Sequence, residues 1–218
     1  KISLLAELGG ADGITVHLRE DRRHIQDKDL KLLKNTLVTS LNLEMAATEE
    51  MFAIAKKINP SMITLVPEKR EEITTEGGLD VIKNFDNLSH HINKFLALDI
   101  PISVFIDPIF EQIQAVKKLN ASFIELHTGS YATSEMNNKV IELAKIKESV
   151  HFAKDIGLNV NAGHGLTYQN VEPIAAIEGI SELNIGHSII SRSLSVGLKE
   201  AVKEMKYLIL NPRKDFIY

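Results

Sequence analysis

The chain reads as an α/β protein, a parallel (β/α)8 barrel of the TIM type, from three features of its 218 residues. Seven short apolar runs, at 12–18, 39–45, 62–67, 100–107, 123–129, 158–164 and 182–187, alternate with helical stretches. Each run places a polar or small residue at every second position and ends in an ionisable one. Two of the runs lead into glycine turns that open helices, at 163–167 and 186–191.

Strand side chains change face with period two, so each run has one chemical face and one greasy one. The chemical face carries Thr15 and His17, Asn42 and Glu44, Thr64 and Glu68, Ser103 and Asp107, and Glu125 and His127. It continues with Asn159 and Asn161 beside His164, then Asn184 and Gly186 beside His187. Ile14, Val16 and Leu18, Leu41, Leu43 and Met45, Ile124 and Leu126, and Leu183 and Ile185 form the other face. A doubly wound open sheet buries both faces of its central strands and gives continuous apolar runs. A closed barrel turns one face to its helices and the other to its axis, which accounts for a polar face in all seven.

In chain order, residues 2–10 read as the last turns of a helix with a glycine stop. After Asp27, an N-cap candidate, Leu30, Leu33 and Leu37 repeat at helical spacing; Thr48 caps a helix over 49–59 that Pro60 ends. Helices over 87–98, 108–120, 136–156 closed by Gly157, 168–177 and 188–210 complete the set. Strand then helix throughout demands crossover connections and a parallel sheet. A barrel has eight strands, so the first is expected to precede Lys1, leaving residues 1–218 as a single, N-terminally incomplete barrel domain.

At 44% hydrophobic residues this length buries a core as one domain, because such barrels commonly run to roughly 200–250 residues. The net charge of −4 is spread over mixed faces with no basic block, which argues against nucleic-acid or membrane partners and for a small molecule. No cysteine is present, which excludes disulfides and Cys-ligated metals. No apolar stretch approaches the roughly 20 residues of a membrane span, so a soluble chain is expected; a cytoplasmic location is expected from the chemistry alone.

Of eight histidines, His17, His127, His164 and His187 sit at strand ends and His24 in the loop after the first strand. A lone histidine is ordinarily a hydrogen-bonded core group; four at strand ends point to a shared chamber. His90, His91 and His151 fall on helical stretches and read as surface residues. Glu44 and Glu125 share the inward parity, where burial would raise their pKa toward the range useful for proton transfer. The structural alternative is a pair with Arg19 or Lys69. Asp107 directly precedes Pro108, and an N-cap followed by a first-turn proline accounts for it.

The turns at 163–167 and 186–191 suit phosphate, since glycine permits close approach and free N–H groups at a helix start attract anions. Residues 19–24, with Arg19 and His24, form a third candidate anion site. Residues 68–78 make a long polar loop with a double-glycine hinge, a candidate lid over the mouth. No lysine points inward from a strand, which disfavours an enzyme-borne Schiff base.

The strings GADGITVHLREDRRH at 10–24, NLEMA at 42–46, LVPEKR at 65–70, FIELHTG at 123–129, NAGHGLTY at 161–168 and ELNIGH at 182–187 run through essentially the whole chain. On them the chain resembles the pyridoxine 5′-phosphate synthase family of the deoxyxylulose-dependent vitamin B6 pathway. The resemblance implies condensation of 1-deoxy-D-xylulose 5-phosphate with 3-amino-2-oxopropyl phosphate to pyridoxine 5′-phosphate, phosphate and water, with no metal or cofactor. It implies proton-acceptor roles for His17 and Glu44, a proton-donor role for His164 and transition-state stabilisation by Glu125. It further implies that Arg19, His24 and Thr74 hold the deoxyxylulose phosphate, that Gly165, Gly186 and His187 hold the aminoketone phosphate, and that the protein is a homo-octamer. The family's first strand and the arginine after it, which contact substrate, have no counterpart in this sequence. The residues by themselves also admit a phosphometabolite-binding barrel without turnover, or another phosphate-dependent barrel lyase or isomerase assisted by a metal on Glu44, Glu125 and His127.

Overall fold

The computed structural model describes residues 1–68 and 77–213. Among them the chain runs α1 (Ile2–Leu8), β1 (Gly13–His17), α2 (Asp27–Thr36), β2 (Ser40–Met45), α3 (Glu49–Ile58), β3 (Met62–Leu65), α4 (Phe85–Leu96), β4 (Ile102–Ile106) and α5 (Phe110–Lys118). It continues with β5 (Phe123–His127), α6 (Gly129–Thr133), α7 (Met136–Asp155), β6 (Asn159–Gly163), α8 (Val171–Ala175), β7 (Ile180–Asn184), α9 (His187–Val196) and α10 (Leu198–Leu210).

The seven strands form one sheet in sequence order, every neighbouring pair parallel. The sheet curls as a barrel wall does, bringing its edge strands β1 and β7 close enough for the Thr15 hydroxyl to donate to Asn184 Oδ1 at 2.8 Å. Register keeps the expected parity: His17 lies opposite Glu44, Glu44 opposite Thr64, and Thr64 opposite Ser103. Glu125 lies opposite Asn161, and Gly163 opposite Asn184. A register shift at Val160/Asn161 sets Ile180 beside Val160 but Glu182 beside Asn161, and the extra residue in β7 keeps Glu182 and Asn184 on the inner face.

The greasy face packs against the helices. Leu43, Met45, Ile63, Leu65, Ile102, Val104, Ile106, Ile124, Leu126, Val160 and Ala162 are fully buried there. Ile14, Val16, Leu183 and Ile185 on the two edge strands are only half-buried. Gly9 ends α1 because the helix lies against α10, where a Cβ on Gly9 would come within 2.6 Å of the Lys199 carbonyl oxygen. The Glu7 carboxylate ties α1 to the start of β2, accepting from Val38 N, Thr39 N and the Thr39 hydroxyl at 2.7–2.9 Å.

Local signals set most helix ends. Thr48 accepts from Met51 N at 3.4 Å, and Asn59 closes α3 in the left-handed conformation before Pro60. Four expectations shift: His91, read as a surface residue, is 4% exposed because it lies on the packed face of α4 with Leu88, Ile92 and Phe95. Asp27 is the first helical residue and Gln26 the cap, with the Asp29 carboxylate reaching back to Gln26 N at 2.9 Å. The stretch 188–210 is two helices, because Gly197 takes φ +81° and breaks the hydrogen-bond ladder. Asp107 caps nothing: α5 begins at Phe110 with Ile109 as its cap, and the carboxylate turns elsewhere.

Leu43→Ala removes a fully buried side chain between sheet and helices and is expected to cost roughly 2–5 kcal/mol, measured by denaturant unfolding. Exposed Asn159 on the polar parity is expected to tolerate alanine within about 0.5 kcal/mol.

Candidate active site

The inner face is polar, and five of its side chains are joined in a single run of hydrogen bonds, while Ser103 Oγ and Asn161 Oδ1 are buried with no partner among the described residues. Thr64 Oγ1 donates to Asn42 Oδ1 at 3.0 Å, and Asn42 Nδ2 to Thr15 Oγ1 at 3.5 Å. Thr15 donates onward to Asn184, whose Nδ2 donates to Glu125 Oε2 at 2.9 Å. Every donor points the same way, and the run ends on a carboxylate.

Glu125 is 2% exposed. Burial, then the charge of Glu44, raises its carboxyl well above the usual range, and the Asn184 amide only partly offsets this. Its Oε1 lies where Gly163 has no side chain; a Cβ there would come within 2.5 Å. Burial likewise pushes Glu44, next to His17 in the register, up to about 7. The two carboxyls expected from the sequence therefore act on one another.

His17 moves the other way. Burial, then the positive charge of Arg19, lowers it to about 4, so the ring is neutral at neutral pH. Its Nε2 faces Glu68 Oε2 at 3.8 Å, too far for a hydrogen bond, and both buried atoms lack a hydrogen-bond partner among the described residues. Burial also raises Glu68, whose Oε1 accepts from Glu20 N at 2.7 Å and lies 3.8 Å from Arg19 Nε. In the sequence Glu68 is one residue of the polar face and of a loop; nothing local says that it turns back to His17.

The basic cluster sorts itself. Arg19 is buried, its Nε 3.4 Å from Asp21 Oδ1. Arg22 folds onto Asp27 and Glu50, and His24 is exposed. Hydrogen bonds from Arg23, and then from Arg19, hold the Asp21 carboxyl far below the usual carboxylate range.

After β6, His164 and Gly165 both have positive φ, +81° and +75°. The Thr128 hydroxyl holds this turn through the carbonyls of Gly163 and His164, at 2.8 and 2.6 Å. Asn170 donates to the Gly165 carbonyl and accepts from Thr167 N, so the loop is fixed at both ends. Gly186 caps the ten-residue α9, and His187 is its first residue; both are exposed. A Cβ on Gly186 would meet nothing within 4 Å. Asp107 accepts from His127 Nδ1 at 2.8 Å and from Gly78 N at 3.1 Å. This pair joins two residues that the sequence reading treated separately.

Thr74 and most of the candidate lid, residues 69–76, lie outside the described residues. Among the described residues no group of three or more His, Asp or Glu is disposed to hold a metal ion.

The raised carboxyls carry a stability signature. A carboxyl whose folded pKa exceeds its unfolded value holds its proton more tightly when folded, so that stability is present below the unfolded value of 4.5 and is lost as pH rises toward 7 for Glu44. Denaturant unfolding is expected to weaken by roughly 2–3 kcal/mol between pH 5 and 8 from Glu44, and Glu44→Gln is expected to flatten that slope. Gly163→Ala crowds Glu125 and is expected to cost roughly 1–3 kcal/mol, read by the same method.

The profile described as "Pyridoxal phosphate biosynthesis protein PdxJ" matches residues 1–211. The chain is 66% identical over 215 residues to the pyridoxine 5'-phosphate synthase of Prochlorococcus marinus (strain NATL1A), covering 99% of this chain and 88% of that protein. It is 59% identical over 217 residues to that of Synechococcus sp. (strain CC9605), covering 100% and 87%. Two solved structures share the fold alone: KGPDC from Streptococcus mutans (TM-score 0.68, 12% identity, 97% and 92% covered) and phosphoribosyl anthranilate isomerase from Thermus thermophilus (0.61, 13%, 95% and 95%). A curled, parallel barrel wall with acids and imidazoles at its strand ends, matched over nearly its whole length by this profile, places the chain in the pyridoxal phosphate biosynthesis protein PdxJ family.

Proposed function

We propose that this chain condenses 1-deoxy-D-xylulose 5-phosphate with 3-amino-2-oxopropyl phosphate, closing the pyridine ring of pyridoxine 5′-phosphate and releasing phosphate and water. Family membership and relatives at 58–66% identity named for that product support the reaction. The observation that carries the chemistry is two raised carboxyls, Glu44 and Glu125, acting on one another inside the barrel beside a neutral His17.

Ring closure needs imine formation, enolisation, carbon–carbon bond formation and loss of water, hence several proton acceptors and donors around one cavity. His17, neutral through burial, and Glu44, poised near neutrality, take protons from the condensing carbons. His164 returns a proton to departing oxygen, and Glu125 stabilises charge that develops in the transition state. The substrate amine supplies the ring nitrogen, so neither an enzyme lysine nor a cofactor is required.

Arg19, His24 and Thr74 hold the deoxyxylulose phosphate in this reading, supported by the buried Arg19 guanidinium just after β1. Gly165, Gly186 and His187 hold the phosphate of the aminoketone. Free space above Gly186 at the start of α9 supports that assignment, because an anion approaching the helix N–H groups meets no side chain there. Among the described residues no helix is long and apolar enough to cross a membrane. We assign the chain to the cytoplasm as a single barrel domain and a homo-octamer; exposed Ile2 on α1 and Leu194 on α9 offer apolar surface for subunit contacts.

Mixed with both phosphates, the protein is expected to form pyridoxine 5′-phosphate, detected by absorbance and mass. Glu44→Gln is expected to lower kcat by roughly 10²–10⁴-fold while phosphate-ligand affinity is retained. A folded wild-type protein that binds both phosphates and forms no product would overturn the reading in favour of a binding barrel.

A further inference from the structure

Asp107 and His127, which the roles above leave unused, are built as a unit against His164. Asp107 Oδ1 receives the Nδ1 hydrogen of His127 at 2.8 Å and is itself held by the backbone N–H of Gly78 at 3.1 Å. The carboxyl lies below the usual range, first because His127 donates to it. His127 is 6% exposed. Phe105 packs edge-on against its ring, centroids 5.2 Å apart, and the ring fills the space beside Gly129, where a Cβ would come within 2.4 Å of Nε2. Its Nε2 has no hydrogen-bond partner among the described residues, leaving Asp107 as the group that fixes the tautomer.

This ring packs against His164. The two imidazole centroids are 5.0 Å apart at 60°, and Phe105 touches both rings. On its main-chain side His164 is held at positive φ, with its carbonyl bonded by Thr128. Its backbone is thus locked by one neighbour and its ring packed by another.

We propose that Asp107 and His127 are a positioning pair for the imidazole of His164. The proposal rests on His164 being the proton donor of the condensation. Asp107 fixes His127, and His127 orients the His164 ring toward the cavity. Burial and then the neighbouring His127 lower the proton affinity of His164, so the same contact that aims the ring favours release of its proton. Among the described residues the titratable group acting on His164 is His127, and those against His127 are Asp107 and His164; Glu125, two residues before His127 on β5, has its Oε1 over Gly163.

The test uses the full chain with 13C-labelled histidine, the His164 resonance being assigned as the one that disappears in His164→Gln. In His127→Gln the His164 titration midpoint is expected to rise by roughly 0.5–1 pH unit. At the same time kcat is expected to fall roughly 10–100-fold with KM within about twofold, and the alkaline limb of kcat to move up with His164. Asp107→Asn is expected to lower kcat alone but to add no further loss in the His127→Gln background, because it acts through that ring. An unmoved His164 midpoint, or additive losses in the double variant, overturns the proposal. If His127→Gln does not fold, His127→Asn serves in the same cycle. Absence of turnover in the wild type would instead sink the functional reading, and the His164 titration would still decide the pair.

Discussion

A barrel with a polar interior must pair many of its inward side chains with one another, and here one directed run of hydrogen bonds joins five of them, while Ser103 Oγ, Asn161 Oδ1 and His17 Nε2 are buried without a hydrogen-bond partner among the described residues. From Thr64 through Asn42, Thr15 and Asn184 to Glu125, each group donates to the next. A buried amide or hydroxyl without a partner costs roughly 1–3 kcal/mol, so the run is a structural requirement before it is a chemical one. It also links β1 to β7, the two edges of the sheet, and it ends on the carboxylate whose charge is hardest to keep.

Around that run the site separates its ionisable groups by environment. Burial raises Glu44 and Glu125 and lowers His17, which favours the neutral form of all three and leaves His17 an uncharged imidazole able to take a proton. Nearby Asp21, bridged by two guanidinium groups, and Asp107, bonded to His127, go the opposite way and stay charged. Carboxyls thus differ within one barrel according to whether burial dominates, as at Glu44 and Glu125, or hydrogen bonds from a base do, as at Asp21 and Asp107. The loop that carries His164 is pinned by Thr128 and Asn170, so its two positive-φ residues are held in place by side chains from elsewhere.

Much of this was legible in the chain. The inward parity of Thr15, His17, Asn42, Glu44, Glu125 and Asn161 follows from period two, a property of the backbone that needs no tertiary information. Thr48 as a cap and Gly157 as a stop are equally local. The Asp107 N-cap failed because the same Asp-Pro pair also suits a strand end whose carboxylate finds a better donor across the sheet. The single helix over 188–210 failed because apolar spacing survives a one-residue break at Gly197.

The sequence by itself determined the alternation of strands and helices, the face on which each acid and imidazole lies, and the family to which the motifs point. Each of these depends on residues within a few positions of one another. Only the tertiary structure decided the pairings: Thr15 with Asn184 across 169 positions, Asp107 with His127, and Glu68 with His17 and Arg19. These depend on sheet register, on the curl that brings β1 to β7 and on the packing that aims each ring, and such distances are set by the whole barrel rather than by any stretch of it.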